Sequence, residues 1–176
     1  SKQAAATSDM VEAIQTAINE VRSVCAGLQP PGLEEQGLAA ALAGLAEAIQ
    51  TQYGISIHFA LITPGAGEAL PPPIRLSLLR AAQEMLHNVV KHSEATEAYL
   101  YLEEADGTLT LALWDNGKGF DVPLNLADLV KCGHLGLANL EQRARQLGGR
   151  LELHSEKGCG TQVNISIPLD GARTWA

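Results

Sequence analysis

Gln83-Glu84-Met85-Leu86-His87-Asn88-Val89-Val90-Lys91-His92 is the stretch on which the reading of this chain turns. Leu78, Ala82, Met85, Leu86 and Val89 recur at helical spacing, so the spacing predicts a helix over Ile74 to His92, with Pro72 or Pro73 placed to open it. On that helix Glu84, Asn88 and Lys91 stand at i, i+4 and i+7 and share one face. A carboxylate, an amide oxygen and an ammonium in a row suit a hydrated magnesium ion beside a phosphate, because Mg²⁺ takes few protein oxygens and keeps water and substrate oxygens as its other ligands. The same row also fits an ordinary solvated helix face, and alone it does not separate the two.

Toward the C-terminus, Ala98 to Leu102 and Leu109 to Trp114 read as two strands joined at Asp106-Gly107, a strong hairpin signal. A long polar segment with glycine clusters, Gly117/Gly119 and Gly133/Gly136, runs from Asn116 to Gly136, and loops of that length are usually functional. Leu137 to Leu147 returns to helix, closed by Gly148-Gly149, and Leu151 to His154 with Thr161 to Ile167 forms a last hairpin around Gly158-Cys159-Gly160. Toward the N-terminus, Pro64 to Pro73 is turn-forming. Ile55, Ile57, Phe59 and Leu61 alternate as in a strand, and Leu38 to Tyr53 is helical with Gly54 as its stop. Before the Pro30-Pro31-Gly32 break, Met10, Ile14, Ala17, Val21, Val24 and Leu28 form a heptad seam, the mark of a helix that wants a partner helix. Folding of that helix back onto the following domain is the alternative. The order of elements predicts an α+β fold, a two-layer sandwich with helices on one face of a mixed sheet, preceded by one long helix.

Composition narrows the function classes. The 176 residues, 18.6 kDa, allow one full domain plus a small attachment. With 46% apolar and 18% charged residues the chain is globular rather than disordered or fibrous. The longest stretch free of acidic and basic residues, Ala48 to Gly67, is interrupted by polar side chains and does not read as a membrane span. A net charge of -8 argues against a general nucleic-acid or anionic-membrane surface. Cys25, Cys132 and Cys159 are isolated, so neither a disulfide framework nor a structural zinc site is expected, and a reducing cytosol is favoured. The start, Ser1-Lys2-Gln3, carries no initiator Met and no signal-peptide pattern, and the chain is expected to be a fragment of a longer protein.

Three further segments carry candidate chemistry. Asp115-Asn116-Gly117-Lys118-Gly119-Phe120 directly follows an apolar strand, where an Asp can accept a hydrogen bond from an exocyclic amine and glycines let backbone approach a planar ring, though alone an Asp-Asn-Gly also reads as a plain turn. Gly133-His134-Leu135-Gly136-Leu137 precedes a helix whose free N–H groups can meet phosphate oxygens. Gly158-Cys159-Gly160-Thr161 brings backbone close to a ligand or simply turns a hairpin. Neither a Walker-type loop nor a Gly-x-Gly-x-x-Gly helix entry is present, so a nucleotide reading needs another fold.

In this order the segments resemble the ATP-binding domain of bacterial two-component sensor histidine kinases, in the group that includes gyrase, Hsp90 and MutL. The nitrate-sensor and desaturase-sensor type fits best, through Leu28-Gln29-Pro30-Pro31 into Glu35-Gln36-Gly37-Leu38, Gln83-Glu84 to Lys91-His92, and Gly136-Leu137 to Glu141-Gln142-Arg143-Ala144. The resemblance implies a Bergerat-type ATP-binding fold with ATP and Mg²⁺ as cofactors. It makes Asn88 the Mg²⁺ ligand and Glu84 the residue that positions its water shell or the reacting phosphate, with Lys91 and His92 near the phosphates. It has Asp115 read the adenine amine, with Gly117 and Gly119 shaping the pocket and Gly160 and Thr161 closing the adenine side. Phe120 to Leu135 becomes a lid, whose Leu124, Leu126, Leu129 and Val130 clamp the ligand or a neighbouring helix or simply pack the loop. Gly133, Gly136 and Leu137 lie against phosphate.

On the same resemblance, residues 1–31 are the second helix of a dimerisation region plus linker, 32–170 the catalytic domain and 171–176 a tail. A response regulator and a second copy of the parent are the expected partners, and the expected location is the cytoplasmic side, with an inner-membrane anchor in the parent allowed. One departure stands out: none of His58, His87, His92, His134 or His154 has the acidic neighbour in the context of a phosphoacceptor, so that histidine is expected upstream. Two alternatives remain at this level, another ATPase of the gyrase or Hsp90 kind, with Glu84 activating water, and a non-catalytic scaffold of the same fold.

Overall fold

The computed structural model describes residues 33–122 and 135–169. The predicted Met10 to Leu28 helix, the central part of the lid with Gly133, and the 171–176 tail lie outside the described residues.

Helix α1, Leu33–Tyr53, contains a break at Gly37, whose φ of 83° leaves the regular turns starting at Leu38, the residue from which the sequence predicts them. Leu38, Leu42 and Ala46 make its buried stripe. Gly54, with φ 72°, ends it by sending its N–H back to the Gln50 carbonyl. Strand β1, Ser56–Leu61, follows, then a run of turns, and α2, Pro72–Asn88, opens on the two prolines at its first positions, where a missing N–H costs nothing. The predicted helix continues to His92 only in a changed form: beyond Asn88 the chain winds as a π turn, Val89–Ser93. Strands β2, Glu97–Ala105, and β3, Thr108–Asp115, are joined by Asp106 and Gly107, both at positive φ, the conformation that a two-residue hairpin turn demands. Helix α3, Leu135–Gln146, then β4, Arg150–Glu156, and β5, Gly160–Pro168, complete the described chain.

The sheet runs β1-β2-β3-β5-β4, with β1 parallel to β2 and every other pair antiparallel. Parallel neighbours need a crossover, and α2 supplies it, which forces this helix onto the face of the sheet. Strand alternation does the rest. Leu100 and Leu102 on β2, Leu109, Leu111 and Leu113 on β3, and Val163, Ile165 and Ile167 on β5 point to the helices. They join Leu78, Ala82, Met85 and Leu86 of α2 and Leu140 and Ala144 of α3 in one core. The predicted two-layer arrangement is therefore the observed one. Strands β2 and β4 run past their predicted ends because Glu103, Glu104, Ser155 and Glu156 keep pairing where apolar alternation no longer marks them. The outer face carries an aromatic row, His58 stacked on Tyr99 at 4.7 Å between ring centroids and Tyr99 tilted against Trp114 at 5.5 Å. Among the described residues no helix is long and apolar enough to cross a membrane.

Leu111 is fully buried at the middle of β3. Leu111→Ala is expected to destabilise the fold by about 2–5 kcal/mol, seen as a lower urea midpoint.

Candidate functional site

The last turns of α2 and the first turn of α3 meet at one rim of the sandwich. Glu84 and Asn88 lie one helical turn apart on α2, and Gly136 closes over them from α3. A Cβ on Gly136 would sit 2.3 Å from Glu84 Oε1 and 3.0 Å from Asn88 Oδ1, so both side-chain oxygens converge on a place that only a glycine leaves open. Asn88 Nδ2 is buried without a hydrogen-bond partner, an expense that proteins rarely accept outside functional sites. The first turn of α3, which holds no acidic residue, brings its N–H groups and the positive end of the helix dipole to this same rim.

The surroundings of Glu84 are cationic. Burial holds the His87 imidazole below its ordinary range, with Lys91 and His92 adding to the effect and Glu84 opposing it. Burial and the nearby Arg80 likewise lower Arg143, against the pull of Glu84. Arg143 Nη1 lies 3.5 Å from Ser77 Oγ, which places this α3 side chain back against α2. Lys91 and His92 are exposed on the π turn.

A second cluster forms at the end of β3. Asp115 is 3% exposed, and its Oδ1 accepts the Gly117 N–H at 2.8 Å, closing an Asx turn. Burial pushes the Asp115 carboxyl above the usual aspartate range, and the N–H groups of Gly117 and Thr161 work in the opposite direction. A buried carboxylate with two backbone donors keeps acceptor capacity for one more donor, such as an exocyclic amine. The glycines here make room for protein backbone. A Cβ on Gly117 would meet the Ser93 carbonyl at 2.3 Å, one on Gly119 the Glu156 carbonyl at 2.0 Å, and one on Gly160 the Asp115 carbonyl at 1.9 Å. Thr161 Oγ1 is 2.9 Å from Ser155 Oγ, and Ser155 Oγ accepts the Phe120 N–H, so the chain leaving toward the predicted lid is anchored to the same hairpin.

The structure thus brings Glu84, Asn88 and Gly136 into one cluster and Asp115, Gly117, Gly119, Gly160 and Thr161 into another. Leu137 contributes its amide to the first turn of α3 while its side chain enters the core. Sequence reading passed over Asn116, whose Oδ1 accepts the N–H groups of Thr96 and Glu97, and over Ser93, Ser155 and Arg143. Asn116 and Arg143 carry no local signal because their partners are distant in sequence, Ser155 bonds across the β4–β5 hairpin, and Ser93 depends on the π winding.

The family described as "Histidine kinase-, DNA gyrase B-, and HSP90-like ATPase" matches residues 74–171, the region that holds both clusters. The chain belongs to this family. It is 31% identical over 161 residues to the signal transduction histidine-protein kinase/phosphatase DegS of Brevibacillus brevis, covering 92% of this chain and 40% of DegS. It is 33% identical over 151 residues to the sensor histidine kinase LiaS of Bacillus subtilis, covering 86% of this chain and 39% of LiaS. The histidine kinase domain of the blue-light activated histidine kinase EL346 from Erythrobacter litoralis has the same fold, with a TM-score of 0.64 and 27% identity over 78% of this chain and 63% of that one. The chain spans well under half the length of the curated relatives named here.

Asp115 yields a signed prediction. Its carboxyl titrates higher in the folded chain, so the folded state holds that proton more tightly than the unfolded state. The stabilisation this gives is complete below the ordinary aspartate range and is lost as pH rises through the raised folded value. Asp115→Asn cannot titrate there, so the stability of the wild type relative to this variant should fall with rising pH across that window and then level off. Urea midpoints of both proteins from roughly pH 4 to 8 check the sign.

Proposed function

We propose that the chain is the ATP-binding catalytic domain of a two-component sensor histidine kinase, which transfers the γ-phosphoryl group of ATP to a histidine outside this sequence for relay to an aspartate of a response regulator. The convergence of Glu84 and Asn88 on Gly136 carries the reading, with the buried Asp115 as a second, separate anchor. A polyphosphate needs positive dipoles and hard oxygen donors at one end, and adenine needs a buried acceptor at the other. The names of the relatives favour a kinase over the gyrase-like alternative.

The residues divide the work. The first-turn amides of α3, including those of Gly136 and Leu137, bind phosphate oxygens, and Lys91 adds cationic character at the mouth with His92 beside it near the phosphates. Asp115 accepts from the adenine amine, while Gly117, Gly119, Gly160 and Thr161 hold the backbone that frames the base. The donor set fits a magnesium ion: an amide oxygen and a carboxylate are hard ligands, and Asn88 would hold the ion with Glu84 ordering its water shell. When bound, Mg²⁺ supplies neutralisation of phosphate charge. Glu84, kept beside His87 and Arg143, orients the reacting end, and catalysis rests on positioning and electrostatics, as phosphoryl transfer generally does. The histidines of this sequence are not the acceptor, so ATP is bound without self-phosphorylation. Dimerisation through the segment before residue 32, and work on the cytoplasmic side, complete the proposal.

Calorimetric titration with ATP tests it. Binding should strengthen with Mg²⁺, Asn88→Ala should lower the Mg²⁺-dependent affinity at least about tenfold, and Asp115→Ala should weaken binding with or without the ion. A wild-type chain that binds no ATP would overturn the proposal.

A further inference from the structure

We propose that Ser93 is a positioning residue that sets the spacing between the phosphate end and the adenine end of the site, an inference that rests on the ATP reading above. Ser93 and Asp115 are the two buried polar or charged residues among the described residues, at 8% and 3% exposure. Both press on the same glycine. A Cβ on Gly117 would meet the Ser93 carbonyl at 2.3 Å, Asp115 Oδ1 at 2.7 Å and Ser93 Cβ at 2.7 Å.

The serine side chain shapes its own turn. A π turn carries one residue more than an α turn between hydrogen-bonded groups, which displaces the chain downstream of it. Ser93 Oγ donates to the Val89 carbonyl at 2.7 Å and accepts the Ala95 N–H at 3.0 Å, so one hydroxyl serves both ends of the wound segment. Glu94 comes next in the left-handed region, at φ 56°, and turns the chain out of the helix. The serine backbone then ties this turn across the site, because its carbonyl accepts the Lys118 N–H at 2.7 Å. Lys118 Nζ also pairs with Glu94 at 2.7 Å, an exposed contact that adds little.

The helix end bearing Asn88, Lys91 and His92 therefore meets the loop bearing Asp115 and Gly117 at Ser93. Asp115 has its own support, from the β3–β5 pairing opposite Thr161 and from the Gly117 N–H. Adenine recognition should survive a slackened joint. A ligand that spans both ends, Mg²⁺-ATP, should not bind as well, because the two clusters no longer stand at one fixed separation.

Ser93→Ala leaves the Val89 carbonyl and the Ala95 N–H without the hydroxyl. It is expected to lower Mg²⁺-ATP affinity about tenfold by calorimetry, while adenosine affinity, followed by NMR shift titration, changes less than about twofold. Ser93→Cys keeps a weak donor and acceptor and should fall between wild type and alanine, which also serves if the alanine variant is unfolded by circular dichroism. Equal losses for ATP and adenosine would reduce Ser93 to a structural residue and overturn the inference. So would an unchanged ATP affinity in either folded variant while the wild type binds. A wild type that binds neither ligand would instead remove the ATP reading beneath it.

Discussion

The packing of α2 across the buried face of the sheet is the interaction on which the rest depends. Because β1 and β2 are parallel, the connection between them has to cross the sheet, and Leu78, Ala82, Met85 and Leu86 make that crossing a core contact. Burying such side chains stabilises by about 1.5–3 kcal/mol each, so the helix has little freedom to shift. Its far end, with Glu84 and Asn88, is thereby held at the rim beside α3. A chemically demanding cluster rests on a rigid element.

The rim itself is built by close approach. At Gly117, Gly119, Gly136 and Gly160 the space of a Cβ is taken by a carbonyl or by a carboxylate oxygen. Four segments far apart in sequence can thus come together without side chains intervening, and their polar groups answer one another: Asp115 with Gly117 and Thr161, Ser155 with Phe120 and Thr161, Ser93 with Lys118. Such a site is preorganised around Asp115, where the partners are satisfied. Around Glu84 and Asn88 the unpartnered Asn88 amide, and Arg143 lowered by burial and by Arg80, mark groups whose energetics depend on what they meet.

Much of the fold was legible because it follows from local periodicity. The alternation in β2, β3 and β5, the hairpin at Asp106-Gly107, the prolines opening α2 and the glycine stops at Gly54 and Gly148 each have a physical cause within a few residues. The candidate site was legible as a list: Glu84, Asn88, Asp115, Gly117, Gly119, Gly136 and Gly160 were identifiable by residue type, and the structure gathers them into two clusters. The π turn was not legible. The wider winding of Val89 to Ser93 goes with the Ser93 hydroxyl bond to Val89 and with the Ser93 carbonyl being taken by a loop 25 residues further on, which no local pattern records.

By itself the sequence determined the order of the described strands and α-helices, the side of each strand that faces the helices, and a candidate set of site residues, since these are set by neighbours two to four positions away. The tertiary structure alone decided which of those residues share a site. It put Gly136 over Glu84 and Asn88, placed Arg143 back against Ser77, and used Gly117 and Gly119 to admit the backbone of Ser93 and Glu156. Those choices depend on crossover geometry and on backbone segments approaching within contact distance, and no spacing along one chain records how closely two distant segments of it will pack.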